Sequence, residues 1–180
     1  MISFDLPEHG ERKTEDYPCT VQNAVHDLHL VSDFVTDHWR SVSLFGSSFG
    51  AYFSLVAYPD LQFGKCLFLS PILDMETLIQ KMMRRANVTE ELLREQQEII
   101  TPMGETLSWS YYAFVKENPI VKWRHPTYIL YGANDELTPK SVVDAFVANF
   151  HCRLEVIDGE HYLHTQAQIA AVDQWLYSNI

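Results

Sequence analysis

The sequence predicts an α/β protein: a mostly parallel sheet flanked by helices, with a helical lid inserted between two sheet strands. Three observations predict it. Strand-like and helix-like stretches alternate along most of the chain, the signature of parallel strands joined by crossover helices. A G-x-S-x-G pentapeptide, Gly46-Ser47-Ser48-Phe49-Gly50, stands between an apolar run and a helix-like run. Residues 72–123 then abandon the alternation for charged helical patterns. The expected organisation is a core built from residues 1–71 and 124–180, with residues 72–123 as the lid.

Each element follows from its local pattern. Ile2 to Phe4 is a short strand candidate. Val21, Val25, Leu28, Val31 and Val35 recur at helical spacing, so residues 20–38 form an amphipathic helix. Val42 to Phe45 is a strand, and Ala51 to Tyr58 a helix stopped by Pro59. Cys66 to Leu69 is a buried strand closed by Ser70-Pro71. Met75 to Ala86, Thr89 to Ile100 and a stretch near Leu107 to Val115 read as helices, with no strand among them. An insertion of about fifty residues is too long for a connecting loop, hence the lid. Its aromatic cluster, Trp109, Tyr111, Tyr112 and Phe114, either lines a pocket or packs the lid.

Thr127 to Tyr131 is the next strand, ending at Gly132. Thr138 and Pro139 read as the N-cap and first residue of a helix whose stripe is Val142, Val143, Phe146, Val147 and Phe150. Leu154 to Ile157 is the last strand, and Thr165 to about Tyr177 a closing helix with Ile169, Val172 and Leu176 inward.

The whole-chain numbers narrow the class. At 180 residues, 47% hydrophobic and 21% charged, the chain suits one domain with a sizeable core. Thirteen basic against 24 acidic side chains give a net charge of −11. Nucleic acid and anionic membrane surfaces demand a positive field, so neither is an expected partner. The three cysteines, Cys19, Cys66 and Cys152, form no disulfide or metal-ligand pattern, and a reduced cytoplasm fits best. No run reaches the roughly 18 apolar residues of a membrane span, and the first residues do not resemble a signal peptide.

Strand, sharp turn, helix is the context in which G-x-S-x-G exposes a serine nucleophile, Ser48, with flanking glycines allowing close strand–helix packing. A serine hydroxyl needs a base, and the base an acid to fix its tautomer. Asp135, in Gly132-Ala133-Asn134-Asp135, lies just past a strand and is the candidate acid. Asp74 is the runner-up, and Asp144 reads as a solvated helix face. Of eight histidines, His161 in Asp158-Gly159-Glu160-His161 follows the last strand, and His164 competes with it. None lies in an H-E-x-x-H or similar pattern, so no metal site is expected.

With these residues in place the chain resembles the α/β-hydrolases. Ser48, Asp135 and His161 match that family's three catalytic positions in order and spacing. Ile2-Ser3-Phe4-Asp5-Leu6-Pro7-Glu8-His9-Gly10 resembles its D-x-x-G-x-G loop, with Glu8 in place of the first glycine. The likeness spans essentially the whole chain and is nearest to small bacterial esterase- or lipase-like members. It implies a carboxylesterase-type serine hydrolase with an acyl-enzyme mechanism, a small or medium ester substrate, and the Phe49 amide as an oxyanion donor. Thioester or amide cleavage uses the same parts. Serine at position 48 disfavours the aspartate-nucleophile branches.

The resemblance also implies three further strands before Ile2, the third ending in a His-Gly loop that supplies a second oxyanion donor. Nothing here matches that loop, so the chain reads as N-terminally shortened or rearranged. A lost donor costs about 10²–10³ in rate. An open flank beside the Ser48 strand favours poor solubility, a homodimer or a shifted first strand. The competing reading is a non-catalytic or inactive hydrolase-like protein that binds a ligand or partner.

Overall fold

The computed structural model describes residues 2–180. It divides into two compact units, Met1–Leu73 with Lys122–Ile180, and Asp74–Val121.

The larger unit is built on a four-stranded parallel sheet. Its strands are β1 (Ser43–Ser47), β2 (Lys65–Leu69), β5 (Thr127–Gly132) and β6 (Arg153–Ile157), in the spatial order β1-β2-β5-β6. Registers such as Ser47↔Leu69, Leu69↔Leu130 and Gly132↔Ile157 align the strands so that all their C-terminal ends meet at one edge. The central strands are buried on both faces. Cys66, Leu67 and Phe68 of β2 and Ile129 to Tyr131 of β5 are each at most 5% exposed. Continuous apolar runs of this kind are what a parallel sheet covered on both sides requires.

Helices α1 (Val21–His38) and α2 (Phe49–Ala57) pack on each other. Thr20 caps α1 by accepting the Asn23 amide, as the helical stripe beginning at Val21 suggests. The other helices are α6 (Lys140–Phe150) and α7 (Gln166–Asn179). The latter opens on a reciprocal Thr165/Gln168 capping box. One core cluster joins Leu67, Leu130 and Trp175, with Leu69, Tyr128, Val172 and Leu176 packed around it. The inward face of α7 therefore centres on Trp175, while Ile169, expected inside, is 49% exposed.

Two further expectations are corrected here. Ile2 to Phe4 forms no strand. Instead Asp5 accepts the Glu11 amide and His9 donates to the Leu6 carbonyl, turning the chain into a 3₁₀ turn at Gly10–Thr14. Gly10 makes that turn possible: its φ is +52°, and a Cβ there would sit 2.1 Å from the Asp5 carboxylate. Arg12 holds the segment by donating to Asp27 of α1 and to the Asp5 carbonyl. β1 is consequently an edge strand with Phe45 51% exposed, and no described residue pairs with its outer side.

Thr138 also does not cap α6. That helix starts at Lys140, and no side chain caps it. The Thr138 hydroxyl donates to the Pro71 carbonyl instead.

The smaller unit contains α3 (Met75–Arg85), α4 (Glu90–Gln96), β3 (Glu98–Ile100), β4 (Thr106–Ser108) and α5 (Trp109–Glu117). Asp74, Thr89 and Ser108 each cap the helix that follows. The strands were not expected. The α4 helix ends at Gln97 (φ +66°), and Glu98–Ile100 pairs antiparallel with Thr106–Ser108. Isoleucines at 99 and 100 favour extended backbone, and Pro102 with Gly104 (φ +94°) supplies the turn. Leu93, Leu107, Tyr112 and Val115 are its buried apolar residues near these elements. Lys116 and Tyr112 both donate to Glu90, tying α5 to α4.

Candidate active site

Ser48 sits between β1 and α2 with φ 49° and ψ −118°, a conformation that side-chain-bearing residues avoid. Such backbone costs about 1–3 kcal/mol and persists only where its surroundings fix it. Here they do. The Ser48 amide donates to the Leu69 carbonyl, and its carbonyl accepts from Ala51 and Ile72. Gly46 is the glycine this turn uses, because a Cβ there would lie 2.9 Å from the Ala51 backbone. Gly50, the other glycine of the pattern, has nothing within 4 Å of its Cβ position.

The structure brings Ser48, His161 and Asp135 together. Ser48 Oγ lies 2.8 Å from His161 Nε2, and His161 Nδ1 lies 2.8 Å from Asp135 Oδ2. Ser48 is half-buried, whereas His161 and Asp135 are each 7% exposed. An ionised carboxylate accepts only, so His161 Nδ1 carries the proton shared with Asp135. That tautomer turns the Nε2 lone pair towards the Ser48 hydroxyl, which donates to it.

Asp135 is held from its other side. Its Oδ1 accepts the amides of Leu137 at 2.7 Å and Thr138 at 3.1 Å, leaving Oδ2 for His161. The loops carrying acid and imidazole are stitched together by Ala133 N–H to the Ile157 carbonyl and Asn134 N–H to the Gly159 carbonyl, both 2.8 Å.

Gly132 lets them come so close. A Cβ at that position would stand 2.4 Å from the Glu160 oxygen and 2.5 Å from the Gly159 oxygen, both backbone atoms. Neither can swing away as a side-chain tip would. Gly132→Ala is therefore expected to destabilise the protein by about 1–3 kcal/mol, read as a lower denaturation midpoint at unchanged slope.

The competing residues are engaged elsewhere. Asp74 accepts the Thr77 amide and hydroxyl as the cap of α3. His164 is exposed and donates from Nδ1 to the Tyr162 carbonyl. Asp144 is exposed and pairs with Lys140 one helical turn away. The Phe49 amide opens α2, where a helix has no acceptor of its own to offer.

Burial pushes the thiols of Cys66 up to about 12 and of Cys152 up to about 11, which keeps both protonated and inert. Among the described residues no cluster of His, Cys, Asp and Glu could hold a metal ion, and no helix is long and apolar enough to cross a membrane. What the sequence reading missed is the support around the site: the close approach at Gly132, the Thr138 contacts and the Leu137 amide.

Solved structures share this architecture. A protein of Agrobacterium vitis named as a candidate hydrolase aligns over 97% of this chain and 74% of its own, at 18% identity and a TM-score of 0.77. Mouse alpha/beta hydrolase domain-containing protein 10 aligns over 97% of this chain and 76% of its own, at 17% identity and 0.70. A monoacylglycerol lipase of Paleococcus ferrophilus aligns over 98% and 82%, at 18% identity and 0.63. No family model and no curated protein matches the sequence. At these identities the likeness establishes the fold: the chain has the α/β-hydrolase fold.

Proposed function

We propose that the protein is a serine hydrolase that cleaves a carboxylic ester of a small or medium substrate through an acyl-enzyme. The observation that carries this reading is the continuous hydrogen-bonded line from Ser48 Oγ through the His161 ring to Asp135 Oδ2. It runs across three strand-end loops far apart in sequence. A line of this composition and direction activates a hydroxyl.

Ser48 Oγ attacks the ester carbonyl carbon while its proton passes to His161 Nε2. The imidazolium formed is stabilised by Asp135. Negative charge collects on the former carbonyl oxygen, where the Phe49 amide and the N-terminal end of α2 favour it. Collapse of the tetrahedral species breaks the ester C–O bond, and His161 gives its proton to the departing alcohol. Water, deprotonated by the same nitrogen, then attacks the acyl carbon; the bond to Ser48 Oγ breaks, His161 returns the proton to Oγ, and the acid is released. No step calls for a metal or an organic cofactor.

The monoacylglycerol lipase among the structural neighbours supports an ester as the substrate class.

Pre-steady-state hydrolysis of a chromogenic short-chain ester tests the acyl-enzyme. The expected result is a burst of alcohol close to one equivalent per protein, followed by slower turnover. Turnover with no Ser48 dependence would sink the proposal.

A further inference from the structure

We propose that Thr138 is a positioning residue that holds Asp135 in register with Ser48. The proposal rests on the Ser48–His161–Asp135 reading above. Thr138 is 3% exposed, and each of its polar atoms is committed. Its amide donates to Asp135 Oδ1 at 3.1 Å, its hydroxyl donates to the Pro71 carbonyl at 2.9 Å, and its carbonyl accepts from the Tyr131 hydroxyl at 2.8 Å. Burial first, then Asp135 and Asp144, push Tyr131 up to about 12, so its hydroxyl stays a donor.

The Pro71 contact gives this arrangement its meaning. Ile72, the next residue, donates its amide to the Ser48 carbonyl at 3.3 Å, and Ser70 donates to the Leu130 carbonyl at 2.9 Å. The three-residue strap Ser70-Pro71-Ile72 is therefore bonded to both the nucleophile turn and β5. Through one hydroxyl, Thr138 adds the acid loop to that strap. Asp135 and Ser48 are thus connected by a route that does not pass through His161. Without it, the acid loop keeps its ties to the His161 loop and to β5, through the Tyr131 hydroxyl and the Asp135 amide, but loses its bond to the strap that holds the Ser48 carbonyl.

Local rules do not explain this threonine. It stands where a helix cap is expected, yet α6 receives no side-chain cap. The hydroxyl instead forms a contact between residues 67 positions apart.

Thr138→Val keeps the shape and the amide but removes the donor. It is expected to lower kcat about 10- to 100-fold, through a displacement of under about 1 Å, with KM changed less than about two-fold. Thr138→Ser restores the donor and is expected to return kcat to within about three-fold of wild type, since a serine hydroxyl donates as well as a threonine's.

A second readout is independent of turnover. The His161 Nδ1 proton, shared with a carboxylate, is expected as a low-field proton resonance in wild type and Thr138→Ser. In Thr138→Val it shifts upfield or is lost to exchange. Tyr131→Phe releases Thr138 from its carbonyl side, and it carries the test should Thr138→Val not fold, with the same pattern at smaller size. Wild-type kcat and resonance in Thr138→Val, or in Tyr131→Phe where that variant carries the test, would overturn the proposal, as would a loss that Thr138→Ser does not recover. Should wild type show no Ser48-dependent turnover, the hydrolase reading fails while the resonance comparison still decides the role of Thr138.

Discussion

Ser48→Ala is expected to remove ester turnover while leaving the fold intact, with kcat falling by about 10⁶. The size follows from what is lost. Among the described residues no other hydroxyl or thiol bonds to His161 Nε2, and burial holds Cys66 and Cys152 protonated. The cost in stability is expected to be under about 1 kcal/mol, because alanine keeps the Cβ and the strained φ of 49° and deletes one half-buried hydrogen bond. Steady-state kinetics and a thermal melt on the same sample check both halves. A variant equally folded and still active would remove Ser48 from the mechanism.

Asp135→Asn is expected to be the second largest loss, about 10⁴ in kcat, through the wrong imidazole tautomer. The geometry dictates which way the new amide turns. Oδ1 accepts two backbone amides, so an NH₂ group cannot face them. The asparagine must point its oxygen there and its NH₂ at His161 Nδ1. Nδ1 then has to accept, the ring proton moves to Nε2, and Nε2 can no longer take the proton from Ser48. The defect lies in chemistry and not in binding, so kcat falls and KM stays near wild type. A variant with wild-type kcat would show that Asp135 does not set the tautomer.

The candidate residues were legible because each follows a strand that reads clearly. The runs Val42 to Phe45, Thr127 to Tyr131 and Leu154 to Ile157 are short and bounded by turns, and their ends fix where Ser48, Asp135 and His161 stand. The supports were not legible, because they are contacts between distant loops. The G-x-S-x-G pattern suggests that both glycines serve the nucleophile turn. Only Gly46 of that pattern faces a close backbone, whereas Gly132, read only as the end of a strand before Asp135, carries the tightest approach in the site. Thr138 followed by Pro139 reads locally as a helix cap, and only the folded chain offers it Pro71 instead. The β3–β4 hairpin was missed for another reason: three-residue strands within a charged, helix-patterned stretch leave almost no period to read. The first strand failed because an extended segment needs a partner, and Asp5 and Pro7 draw the chain into a turn before it finds one.

The most direct test of the account is labelling with a fluorophosphonate, which reacts with a serine only when a neighbouring base activates it. The account predicts one covalent adduct per folded chain, located on Ser48 by peptide mass spectrometry and absent from Ser48→Ala and His161→Ala. Folded wild-type protein that takes no label, or label that persists in Ser48→Ala, would contradict it.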